Sequence, residues 1–142
     1  MRILYLVICT LVLLTMKVLF FVVLTICFII FYFNGHKDVQ AKILKCNGIN
    51  GNFQAKTLCK KYEEELLGNV ENKVKYDILF KCIKLKAEQC ELFRKLLIES
   101  KGKYLVEWAW WGDKEFGCVL EDGVFRGKNA CGRLMMKVRE EL

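Results

Sequence analysis

The chain reads as a mainly helical protein, with a hydrophobic transmembrane helix in front and a small domain of amphipathic helices with irregular glycine-rich turns behind it. Three observations point there. Ile3 to Phe33 contain a single charge, Lys17. Beyond Asn34, apolar residues recur at spacings of three and four, the period of a helix with one buried face. No proline occurs among the 142 residues, so nothing interrupts long helices.

The apolar stretch comes first. A spanning helix needs about 20 residues, and 31 residues would run to roughly 46 Å as a straight helix. One tilted span over about Val18 to Phe33 accounts for it, with the earlier part extending beyond. A cleaved signal peptide fits less well, because the stretch leaves through Tyr32-Phe33-Asn34-Gly35 and not through a small-x-small site. Lys37, Lys42 and Lys45 follow it, against Arg2 in front. The positive-inside rule then predicts a single-pass membrane protein with its globular part in the cytosol. The expected boundary puts the anchor at residues 1–35 and the domain at 36–142.

Helices fill the next 65 residues or so. Ala55, Leu58, Cys59, Tyr62 and Leu66 make one stripe, with Asn52 as N-cap and Gly68 as stop. A longer helix is expected over Asn72 to Ser100, its stripe formed by Val74, Ile78, Cys82, Ile83, Ala87, Cys90, Phe93 and Leu97. Glu91 and Lys95 are placed to pair on its other face, and Lys101-Gly102-Lys103 ends it. Leu105 to Trp111 reads as a short strand or an extended loop. Gly112, Gly117, Gly123 and Gly127 mark turns. Asn129 caps a last helix with Cys131, Leu134, Met135 and Val138 on one face.

Charge and cysteine content narrow the function. Of the 23 Lys and Arg, only Arg2 and Lys17 precede Asn34, and none of the 16 Asp and Glu does, so the rest carries a net +5. That modest excess favours anionic small molecules or lipid head groups. No basic block interleaved with aromatics marks a nucleic-acid surface. Eight cysteines contain no C-x-x-C pair, and His36 is the lone histidine, so no metal site is expected. Cys59, Cys82, Cys90 and Cys131 fall on apolar helix faces, where reduced thiols pack as small hydrophobes; in an oxidising compartment, six cysteines would suffice for three disulfides.

The most informative stretch is Tyr104 to Leu142. Trp108, Trp110 and Trp111 precede Asp113-Lys114-Glu115-Phe116-Gly117, and Gly127-Lys128-Asn129 with Gly132 opens the last helix. Aromatic surface beside a carboxylate and a glycine-rich turn suits a small-molecule pocket. Taken with Leu105-Val106-Glu107, Leu134-Met135 and Val138-Arg139, this order resembles the closing signature of the NADAR (NAD- and ADP-ribose-associated) domains. Upstream, Val74 to Leu79, Lys86 to Cys90 and Gln54 to Lys61 are similar to further family segments. The resemblance covers about Gln54 to Leu142.

The resemblance implies an N-glycosidase that hydrolyses the bond between ribose and a base, or a domain that binds ADP-ribose-type or ribosylated-base substrates, with no cofactor. Departure of the base leaves an oxocarbenium-like sugar, which a nearby carboxylate stabilises. Asp113 takes the place of the family's aspartate and is the catalytic candidate; its structural alternative is a cap on the Gly112 to Gly117 turn. Trp110, Trp111, Phe116, Gly117, Gly127 and Asn129 are the implied substrate-binding residues. Structural alternatives are packing for the tryptophans, an N-cap for Asn129 and a helix-dipole partner for the nearby Arg139. The family's upstream catalytic glutamate is missing, for Gly35 stands in its place before His36-Lys37-Asp38-Val39-Gln40-Ala41. The alternative expectation is therefore a membrane-anchored, catalytically impaired relative that only binds nucleotide-ribose, or a truncated or mis-started product. In either case the expected partners are a nucleotide-ribose and, through residues 3–33, a membrane.

Overall fold

The computed structural model describes residues 5–7, 27–46 and 50–142. The protein is mainly helical and divides into two compact units, one of residues 14–82 and one of residues 1–13 with 83–142. Most of the expected transmembrane stretch, residues 8–26, lies outside the described residues. No helix among the described residues is long and apolar enough to cross a membrane.

In the unit of residues 14–82, a helical stretch at 27–32 turns at Gly35, whose φ of +88° is a left-handed conformation that glycine adopts without strain. Helix α1 (Lys37–Leu44) and helix α2 (Gly51–Tyr62) come next. Ile29, Tyr32 and Phe33 share one core with Val39, Ile43, Cys46 and Ala55, so the boundary expected at residue 35 falls inside this unit. Asn50, not Asn52, is the N-cap residue of α2.

Gly68 does stop the second helix, but the last turn, Glu63–Leu67, is π-helical, closed by the Gly68 N–H donating to the Glu63 carbonyl at 2.9 Å. Glu63 is drawn inward: it accepts from Tyr32 Oη at 2.6 Å and from Lys75 Nζ at 2.8 Å. The extra residue in the turn rotates the side chains at its end relative to the helix before it. Leu67 thereby packs against the core, and Leu66, expected on the stripe, is exposed.

The helix expected over Asn72 to Ser100 is two helices, α3 (Asn72–Gln89) and α4 (Glu91–Glu99), separated by an extended Cys90 with φ −118° and ψ 101°. The stripe explains the break. Two successive spacings of three, Ala87 to Cys90 to Phe93, would swing it by about 120° in an unbroken helix. Resetting the chain at Cys90 lets Ala87, Phe93 and Leu97 all be buried. Val74 is exposed, contrary to its place on the stripe, and Lys95 lies against Glu99 at 3.8 Å.

The unit containing residues 83–142 continues with strand β2 (Tyr104–Val106), which pairs in parallel with strand β1 (Tyr5–Val7). Strands β3 (Val119–Glu121) and β4 (Val124–Arg126) form an antiparallel hairpin. Its two-residue turn, Asp122-Gly123, has φ of 50° and 76°, the paired positive angles of a type I′ turn. Helix α5 (Ala130–Glu140) packs on β2 and α4 through Ala130, Cys131, Met135 and Val138, all buried.

Candidate functional site

The order of residues that the sequence singled out becomes one compact knot in this second unit. Asp113 begins it. Its Oδ1 accepts the N–H groups of Glu115 and Phe116, each at 2.9 Å, which folds the 113–117 loop back on itself. The capping role for Asp113 is therefore present in the structure. Four carbonyls of that loop then face the start of α5. Lys114 O accepts from Lys128 N, Glu115 O from Ala130 N, Phe116 O from Cys131 N and Gly117 O from Asn129 N, at 2.7 to 3.2 Å. The N–H groups of Lys128 to Cys131, at the start of the helix, are thus already bonded.

Asn129 stands at the N-cap position but does not cap. It adopts a left-handed conformation, φ 52° and ψ 40°, with no side-chain bond to its own helix. Its amide turns to the edge of β2 instead. Oδ1 accepts from Glu107 N at 2.9 Å and Nδ2 donates to Leu105 O at 2.8 Å. One side chain thus completes the hydrogen bonding of a strand edge.

Two glycines make the close approaches possible. A Cβ on Gly117 would sit 2.8 Å from both Ala109 Cβ and Glu107 O. A Cβ on Gly132 would run into Leu105 O and the Asn129 amide. Arg139 closes the far end, its Nη1 donating to Ser100 O at 2.8 Å and Lys103 O at 2.9 Å, just past the C-terminus of α4. That is the dipole-complementing role weighed for it.

Beside the knot lies an open pocket of about 420 Å³. Tyr104, Val106, Phe125 and Cys118 line it, with Gly127 and Asn129 at the helix side. Of the residues implied by the resemblance, Gly127 and Asn129 are in this lining; Asp113, Phe116, Gly117, Trp110 and Trp111 are not. Phe116 and Gly117 belong to the loop whose carbonyls meet the start of α5. Trp110 and Trp111 sit in an exposed turn.

Sequence reasoning missed the hairpin residues Val124 and Phe125, although Asp-Gly between Val-Leu-Glu and Val-Phe-Arg is a strong hairpin signal. It named Glu107 only within the closing signature and gave it no role, although the residue is 3% exposed. Burial, together with the carboxylates of Glu107 and Asp113, pushes the Cys131 thiol well up, so Cys131 stays a neutral packing group. Burial likewise raises the Cys118 thiol. At the rim, Lys114 meets Glu121 at 2.6 Å and Lys128 meets Glu115 at 2.8 Å. Among the described residues no cluster of three His, Cys, Asp or Glu could hold a metal ion. No family model, no curated protein and no solved structure matches the chain.

Proposed function

We propose that the unit formed by residues 83–142 with 1–13 is a NADAR-like module that binds the base or ribose end of an ADP-ribose-type nucleotide without cleaving it. The observation that favours binding over hydrolysis is the place of Asp113. It is outside the pocket lining, and its Oδ1 accepts two backbone N–H groups of its own loop. The lining holds aromatic and apolar surface, which suits a base, and among the described residues it includes no carboxylate to stabilise a sugar cation. The Asn129 amide is spent on the β2 edge, so recognition falls to Tyr104, Phe125 and the pocket's shape. In the same reading, the apolar stretch attaches the protein to a membrane.

The test is melting of the full chain in mild detergent with ADP-ribose, beside an assay for guanine release from ADP-ribosylated guanosine. A melting temperature that rises with ADP-ribose concentration, with no guanine released, is the expected result. Asp113→Asn should change neither readout, because the amide oxygen accepts the same two N–H groups. Guanine release that disappears in Asp113→Asn would instead establish the hydrolase.

A further inference from the structure

The Trp110–Trp111 pair belongs to the stretch the sequence singled out, yet it lies outside the pocket lining and is exposed. The two rings occupy the central positions of a turn closed by the Gly112 N–H donating to Ala109 O at 3.0 Å. Small and polar residues dominate such positions. Here Trp110 is 75% exposed and Trp111 48%, with their rings edge to face at 5.7 Å. Exposed paired indoles are costly in water and suit a place where one side is apolar and the other wet.

The strand pairing relates that turn to the apolar run in chain order. β1 and β2 are parallel, with Tyr5 opposite Tyr104 and Val7 opposite Val106, so both chains leave the pair at the same end. Beyond Val106 the chain reaches Trp110 within four residues. Beyond Val7 it enters residues 8–26, nineteen positions whose single charge is Lys17. The most apolar run of the sequence therefore follows β1 in the chain just as the aromatic turn follows β2, and the two strands run parallel. Indole rings concentrate at the head-group level of bilayers because they are amphipathic.

We propose that Trp110 and Trp111 form an interfacial anchor that seats this unit on the surface of a lipid bilayer. The occupant of the aromatic turn is lipid and not the base of a nucleotide, and this does not depend on what the pocket binds. The full chain is added to phosphatidylcholine vesicles containing a minor share of phosphatidylserine, with and without brominated acyl chains, and tryptophan emission is recorded. Wild type should show a blue shift on vesicles and quenching by the brominated lipid. Trp108→Phe, in which only the pair emits, should behave the same; the double substitution Trp110→Ser with Trp111→Ser should lose most of both signals. Because the apolar run alone would bring the chain to vesicles, quenching decides and co-sedimentation does not. Quenching that survives the double substitution overturns the anchor. So does emission from Trp108→Phe that ignores vesicles, including the case in which it responds to ADP-ribose in their absence.

Discussion

Replacing Asn129 by Ala tests the central claim about the knot, that this side chain is a strand partner and not a helix cap or a ligand contact. The residue is 2% exposed, so water does not readily stand in for what is lost. Truncation leaves the Glu107 N–H and the Leu105 carbonyl without the amide that bonds them. Each orphaned buried group costs about 1–3 kcal/mol. Alanine must also hold a left-handed φ of 52°, which adds about 1–2 kcal/mol. The combined loss should reach about 3–5 kcal/mol, since some water will enter the loosened site, and that is a large share of a domain's stability. Asn129→Gly separates the two causes: it loses the same bonds but adopts the left-handed angle freely, so it should be about 1–2 kcal/mol more stable than Asn129→Ala. Urea unfolding of the full chain in mild detergent, followed by tryptophan fluorescence, reads both. A loss under about 1 kcal/mol for Asn129→Ala, or identical midpoints for the two variants, refutes the reasoning.

Three further outcomes rest on particular contacts. Gly117→Ala should cost about 1–3 kcal/mol, visible as a melting temperature several degrees lower, because its Cβ meets backbone and Ala109 at 2.8 Å. Gly123→Ala has open space around it and pays only for its φ of 76°, about 1 kcal/mol, and serves as the comparison. Arg139→Ala should lose about 1.5–3 kcal/mol and speed amide exchange at Lys101 and Lys103, while Arg139→Lys recovers part by bonding one of the two carbonyls. Burial, then the nearby Glu63 charge, pushes the Cys59 thiol from its ordinary 9.0 up to about 11. The fold therefore favours the protonated thiol: that contribution is complete below 9.0 and fades as pH rises through about 11. Iodoacetamide labelling of Cys59 at pH 8, followed by mass spectrometry, should run about a hundredfold slower in the folded chain; labelling at the unfolded rate would count against it.

What could be read in the sequence depended on how local the cause was. The α2 stripe and its stop at Gly68 were legible because one helix period and one glycine determine them. Leu66 was misplaced because the last turn is π-helical, and the Glu63 that begins it is held by Tyr32 and Lys75, partners 31 and 12 residues away. The break at Cys90 was written in the doubled spacing of three, but no proline or glycine announced it. Asn129 was recognised at its position and misread in its bonding, since the β2 edge it serves lies more than twenty residues earlier. The Asp113 turn, by contrast, closes within three residues, and its capping alternative was visible from the start.

The knot bears on how such chains change over generations. Asp113, Gly117, Asn129, Gly132 and Arg139 each answer to a neighbour inside the fold, by a turn, a close approach or a hydrogen bond. Selection for a stable fold alone would be enough to hold residues placed like these. Likeness in these positions alone reports a way of folding, since each is explained by a contact inside the fold.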